Sequence, residues 1–129
     1  MNFAHVTLPT RDVERTCAFF AATLGLALLP TPQNSPVPVY WLDLGHGQEM
    51  HVFHVAEFQV SPFESEFGRH IALFHPLADF PALKERLRAA GAELIDSLRP
   101  TPFERFFFRE PVNGYFFEVI DADRARARD

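Results

Sequence analysis

The chain has one cysteine in 129 residues, Cys17. It can therefore close no internal disulfide and build no thiolate metal centre, and a reducing, cytoplasmic setting is the expectation. Any metal it holds must be gripped by nitrogen and oxygen. No apolar run approaches the roughly 18 to 20 residues of a membrane span. The opening "MNFAHVTLPTRD" also lacks the basic stretch followed by an apolar one that marks a chain for export. Positive charge is not in excess: the net charge is -5, and Lys and Arg are scattered rather than striped, which argues against a nucleic-acid surface. What is plentiful is apolar side chain, 47% of the residues with 15 Phe among them, and this excludes disorder over most of the length. The chain is long enough for one domain with a real core and too short for two independent ones. A small molecule or a protein is the expected partner.

Hydrophobic periodicity gives one order of elements twice. "FAHVTL" (3–8) alternates as a strand, and "DVERTCAFFAATLG" (12–25) places Val13, Cys17, Phe20 and Leu24 at helical spacing. Asp12 suits the N-cap and Gly25 the stop. Three strand-like runs follow, "LALLP", "VPVYWLDLG" and "EMHVFHVAEF". In the second half "RHIALFH" reads as a strand. "DFPALKERLRAAG" then reads as a helix with Phe80, Leu83, Leu87 and Ala90 on one stripe, capped by Asp79 and stopped by Gly91. "AELID", "FERFFFRE" and "GYFFEVID" complete the set. The landmarks superpose: His5 and His70 lie 65 residues apart, Gly25 and Gly91 lie 66 apart, and Asp12/Asp79, Gly47/Gly114 and His51/Glu118 each lie 67 apart. Two units, 3–57 and 69–121, joined by 58–68, are thus expected to form a single pseudo-symmetric domain spanning 1–129. The polar tail "RARARD" (124–129) is expected to fray.

Side chains along a strand alternate between faces. His5 shares its face with Phe3 and Thr7, whereas Ala4, Val6 and Leu8 point the other way, as suits packing beneath a helix. His51 points with Phe53, and His54 points opposite to them. Among the six histidines the internal repeat selects His51, which superposes on Glu118, and His70, which superposes on His5. If the units pair about a pseudo-twofold axis, His5 meets His70 and His51 meets Glu118 around one point. Three imidazoles and a carboxylate suit one divalent Fe, Mn, Ni, Co or Zn ion, and in six-coordination they leave two adjacent positions for a chelating substrate. A metal there would act as a Lewis acid beside a bound carbonyl, or would activate dioxygen if it is iron.

The stretches "HVTLPTRDVERTCAFFAATLGL", "RHIALFHPLADFPALKERLRAAGAEL" and "FFFREPVNGYFFEVID" resemble the vicinal oxygen chelate superfamily, which includes glyoxalase I, methylmalonyl-CoA epimerase, fosfomycin-resistance transferases, extradiol dioxygenases and bleomycin-resistance proteins. The resemblance covers residues 3–121. It implies an α+β fold of two tandem βαβββ units whose strands form a U-shaped half-barrel sheet with the helices outside. It also implies metal ligands on the first and last strand of each unit, carried here by His5, His51, His70 and Glu118, and a homodimeric state.

The chain departs from the pattern in two places. The turn reads Glu110, Pro111, Val112, Asn113, Gly114 where the family has Asp-Pro-x-Gly-Asn, a change in a turn rather than in the chemistry. His51 stands where glyoxalase I usually has Glu and the epimerase Gln, so Glu118 is left as the one metal-bound carboxylate that could act as a catalytic base. A three-ligand set of His5, His70 and Glu118 would match the two-histidine, one-carboxylate pattern of non-haem iron, with His51 as an acid or base beside it.

The first expectation is a metal-dependent glyoxalase-like enzyme with isomerase or lyase proton-transfer chemistry on a small oxygen-rich substrate. The alternatives are an iron-dependent ring-cleaving dioxygenase and a non-catalytic binding protein of the resistance type. Thr7, two residues beyond His5, and Phe53, Arg105 and Phe107 are the expected substrate contacts. Parity does not say whether Arg105, Phe107 and Arg109 or instead Glu104, Phe106 and Phe108 share the ligands' face. His46 reads as a solvated turn residue, His54 and His75 as helix-facing residues needing hydrogen-bond partners, and "TPQNSPVPV" (31–39) as a loop.

Overall fold

The computed structural model describes residues 1–124, so of the tail expected to fray only Arg124 falls among the described residues. The chain divides into two compact units, Met1–Gln59 and Val60–Asp129, and each repeats β-α-β-β-β. In the first, β1 (His5–Thr10) leads to α1 (Val13–Leu24), then β2 (Leu28–Leu29), β3 (Val39–Gly45) and β4 (Gln48–His54). The sheet order is β1-β4-β3-β2, with β1 parallel to β4 and the β3–β4 pair antiparallel. In the second, β5 (Ile71–His75) and a 3-10 turn (Leu77–Asp79) lead into α2 (Phe80–Ala89), followed by β6 (Glu93–Ile95), β7 (Arg105–Arg109) and β8 (Phe116–Asp121). Their order, β5-β8-β7-β6, is the same topology. In each unit the helix-containing crossover sets the first strand beside the last, which is what a parallel pair requires.

Helix α1 starts and stops where the sequence places it. Asp12 is extended, with φ -146°, and its carboxylate accepts from the Arg15 amide at 3.0 Å; Gly25 closes the helix in the left-handed region at φ 68°. Its buried face, however, is Val13, Thr16, Phe19, Phe20 and Thr23, not the expected stripe through Cys17 and Leu24. Both threonines satisfy their hydroxyls internally, Thr16 against Thr10 at 2.8 Å and Thr23 on the Phe19 carbonyl at 2.7 Å. Burial then costs them little, and Cys17 and Leu24 stay half-exposed.

Helix α2 buries Phe80, Leu83 and Leu87, the expected stripe less its last member: Ala90 is the C-cap residue, and Gly91 beyond it has φ 90°. Asp79 makes no side-chain cap bond, contrary to expectation. It sits at the end of the 3-10 turn with φ -95° and ψ 0°, already in the helical region, so its carboxylate faces His75 and Arg86 instead.

The core of each unit lies between helix and sheet. Leu8, Met50, Val52 and Phe20 are fully buried in the first, and Leu83, Leu87, Phe108, Phe117 and Val119 in the second. Several strands are shorter than their apolar runs. "LALLP" contributes two residues only, and "RHIALFH" begins pairing at Ile71, leaving His70 just ahead of β5. The joining stretch 58–68 is folded rather than passive. Glu64, 5% exposed, takes two hydrogen bonds from Arg69 Nη1, at 3.1 and 3.0 Å, and one from the Phe116 amide at 2.9 Å.

Glu110, fully buried, accepts from the amides of Val112, Asn113 and Tyr115 at 2.8, 2.8 and 3.3 Å. The lengthened acidic residue thus holds the β7–β8 turn together. No helix among the described residues is long and apolar enough to cross a membrane.

Candidate metal and substrate site

In the first unit the parallel pairing of β1 with β4 sets His5 opposite Glu49 and Thr7 opposite His51. The β3–β4 pairing sets Trp41 opposite His51. All five side chains share one face, and the rings stack: His5 lies on His51 with centroids 4.0 Å apart and planes 14° apart. Trp41 covers the other side of His51 at 4.3 Å and 9°. Phe53 meets His51 edge-on at 6.3 Å. His51 is buried, and its Nε2 lies 2.8 Å from Glu49 Oε1. His5 and Thr7 are exposed.

In the second unit β8 carries Glu118 opposite Phe107 on β7. His70, held by Nδ1 against the Ser65 carbonyl at 3.1 Å, brings Nε2 to 3.2 Å from Glu118 Oε1. Phe107 stands edge-on to the His70 ring at 5.4 Å and 89°. The second oxygen of Glu118 accepts from Arg105 Nη1 at 2.9 Å. Arg105 Nη2 reaches Glu66 at 2.9 Å and the Arg99 carbonyl at 2.6 Å. Phe106 faces away, against Phe80 of α2. The face left open by parity is therefore the one carrying Arg105 and Phe107 beside Glu118.

Electrostatics follow from this packing. Burial works against the Glu66 carboxylate, but hydrogen bonds from the Leu98 and Arg99 amides and from Arg105 prevail and hold it below the usual carboxylate range. Burial likewise works against the Arg105 cation, and its two carboxylate partners prevail and raise it. Burial, helped by Glu14, pushes the Cys17 thiol up to about 11, so it is a thiol rather than a thiolate near neutrality. On the opposite face His75 has the partner it needed, Asp79 Oδ2 at 2.7 Å. His46 is an exposed turn residue at φ 53°. A concavity of about 400 Å³ beside Arg11, Tyr40 and His54 also opens on the other face of the first sheet.

The site residues expected from the sequence are thus brought together as two pairs, His5 with His51 and His70 with Glu118. Among the described residues no group of three or more His, Cys, Asp or Glu side chains is gathered so as to hold a metal ion. The His70–Glu118 pair, hydrogen-bonded to one another, has donor atoms at a spacing that two adjacent ligands of such an ion would also have. Metal bonds of roughly 2.0 to 2.2 Å to imidazole nitrogen and carboxylate oxygen, at about a right angle, place the two donor atoms about 3 Å apart. The observed separation is 3.2 Å. Three residues of the surroundings were not foreseen: Trp41, Glu49 and Glu66. Glu49 stands two residues before His51, so parity could have found it; Trp41 reaches His51 only through the β3–β4 pairing, and Glu66 reaches Arg105 only through the folding of its own loop.

The family model described as the Glyoxalase/Bleomycin resistance protein/Dioxygenase superfamily matches residues 2–119. Among solved structures, the fosfomycin resistance protein FosX from Mesorhizobium loti is 21% identical, with a TM-score of 0.73 over 97% of this chain and 94% of that one. A glutamate-to-glutamine variant of FosX from Listeria monocytogenes, complexed with Mn(II) and 1S,2S-dihydroxypropylphosphonic acid, is 18% identical with a TM-score of 0.77 over 97% and 95%. A putative glyoxalase family protein from Bacillus anthracis is 23% identical with a TM-score of 0.73 over 94% of each chain. No curated protein matches. Two successive βαβββ units, the first carrying histidines on its β1–β4 face and the second a histidine–glutamate pair beside β8, together with a family match over nearly the whole length, lead to one conclusion: this chain belongs to the Glyoxalase/Bleomycin resistance protein/Dioxygenase superfamily.

Proposed function

We propose that the protein is a divalent-metal-dependent enzyme that chelates a small oxygen-rich substrate and catalyses isomerase or lyase chemistry by proton transfer. The metal, Fe, Mn, Ni, Co or Zn, is held by His5, His51, His70 and Glu118, with the two units serving as one domain. The observation that carries this reading is the 3.2 Å approach of His70 Nε2 to Glu118 Oε1, the separation of two adjacent ligands on such an ion. The solved relative complexed with Mn(II) and a dihydroxypropylphosphonic acid supports it by analogy of fold. When bound, the metal supplies Lewis acidity toward a substrate oxygen. The chain's own residues orient the substrate: Thr7 beside His5 offers a hydroxyl and Phe53 an apolar wall, whereas Phe107, expected as a contact, is fully buried and backs the His70 ring instead. Small members of the superfamily are commonly homodimers, and we infer the same assembly here.

A second reading rests on His51. Its Nε2 already faces Glu49 at 2.8 Å, and its ring is sandwiched between His5 and Trp41. If His51 stays with Glu49, the remaining set is two histidines and one carboxylate, the non-haem iron pattern of a ring-cleaving dioxygenase.

The test is metal content by elemental mass spectrometry on protein made without affinity tag or chelator. Near-stoichiometric metal is expected in the wild type, with affinity lowered more than about 100-fold in Glu118→Gln and His70→Ala, since losing a ligand costs more than losing its neighbour. The same loss in His51→Ala supports four ligands; its absence supports three. A wild type that takes up none of the five ions on reconstitution refutes both enzyme readings and leaves a ligand-binding protein.

A further inference from the structure

A strand arginine ordinarily keeps its charged head in water. The Arg105 side chain is 4% exposed, and it spans two carboxylates rather than pairing with one. Nη1 donates to Glu118 Oε2 and Nη2 to Glu66 Oε2, each at 2.9 Å. Glu66 is itself fixed by the amides of Leu98 at 2.7 Å and Arg99 at 3.0 Å. Arg105 also donates to the Arg99 carbonyl and lies over the Phe107 ring at 5.3 Å. A continuous set of hydrogen bonds therefore runs from the 98–99 backbone through Glu66 and Arg105 to one oxygen of Glu118. The other oxygen is left facing His70 Nε2.

Two consequences follow. Geometrically, a guanidinium on one oxygen fixes the orientation of the carboxylate and leaves Oε1, turned toward His70 Nε2, as the oxygen presented to a metal. In charge, Arg105 paired with Glu118 alone would form a neutral couple with little attraction for a cation, whereas Glu66 on the far side leaves the trio with one net negative charge.

We propose that Glu66 and Arg105 are positioning residues of this site: they fix Glu118 as a one-oxygen ligand through Oε1 and leave the three side chains with one net negative charge to attract a divalent ion. The proposal rests on the metal-binding reading above. It gives Arg105 a role through Glu118 rather than on the substrate directly, and gives a function to Glu66 in the stretch that joins the repeats.

The test is Mn(II) affinity, by competition with a chelator, for the wild type, Glu66→Gln and Arg105→Lys. Lysine keeps the charge but cannot reach two carboxylates with a rigid fork. Each variant is expected to bind Mn(II) about 10- to 100-fold more weakly, the usual effect of removing a partner of a metal ligand. A merely structural role would lower the thermal midpoint of the metal-free variants and leave Mn(II) affinity below that midpoint unchanged, which overturns the proposal. The wild type gives a readout that needs no variant: the infrared carboxylate bands that change on Mn(II) addition should show one-oxygen coordination, and two-oxygen coordination overturns the proposal. Metal uptake with unchanged variants refutes this inference alone. No uptake by the wild type refutes it together with the reading it rests on.

Discussion

Two aspartates in matching positions of the repeat show how residue chemistry depends on one dihedral pair. Asp12 is extended and caps α1; Asp79 is helical and cannot reach back, so its Oδ2 takes Arg86 Nη2 at 2.8 Å and His75 Nε2 at 2.7 Å. Hydrogen bonds from Arg86 and then His75 outweigh the effect of burial and lower the Asp79 carboxyl from 3.8 to about 2. A folded-state value below the unfolded one contributes stability that is present above the unfolded value and lost as pH falls through the folded one. The thermal midpoint of the wild type should therefore exceed that of Asp79→Asn above about pH 4, and the gap should close toward about pH 2. The gap will be small, because the side chain is 39% exposed and solvent screens it. A gap that persists unchanged at the acid end would show that the ion pairs are not its source. The sequence marks both residues as caps, because the letter pattern is the same; the 3-10 turn that separates their fates has no comparable signature.

At the scale of elements, what repeats is legible and what is held by single bonds across the chain is not. Strand parity placed His51 opposite in direction to His54, and the repeat picked out Glu118, since both signals are periodic. The stretch 58–68 carries no period, and its order comes from Glu64 binding the Phe116 amide and Glu66 binding those of Leu98 and Arg99, partners 32 to 52 residues away. Gly68 shows how tightly it is folded. A Cβ there would lie 1.9 Å from the Phe63 carbonyl oxygen, so backbone rather than a movable side chain must give way. Gly68→Ala is expected to cost roughly 2 to 4 kcal/mol in urea unfolding, in the range of strained or overpacked sites. Because Glu66 and His70 flank the glycine closely, it should also weaken Mn(II) binding. A variant as stable as the wild type would mean that the loop rearranges freely, and the positioning role of Glu66 would lose its rigid base.

The whole chain is a duplication in which each unit carries one pair of the proposed donors, His5 with His51 in the first and His70 with Glu118 in the second. The offset of 65 to 67 residues between landmarks was enough to read the duplication, since two copies of one unit repeat the same order of elements at one spacing. It could not reveal the stacking of His5, His51 and Trp41, which depends on ring orientations that no spacing encodes. If one ion is bound by both pairs, its binding free energy stabilises both units together. Metal at about 100 times its Kd adds about 2.7 kcal/mol, which for a chain of this size raises the thermal midpoint by roughly 10 °C, and a chelator should reverse it. Amide hydrogen exchange locates the effect, because only segments whose opening releases the ion slow down. Protection should rise in β4 around His51 and in β8 around Glu118 alike. Protection confined to β8 and the residues about His70 would mean that the histidine–glutamate pair binds alone, and the four-ligand centre, with the substrate chelation built upon it, would have to be given up.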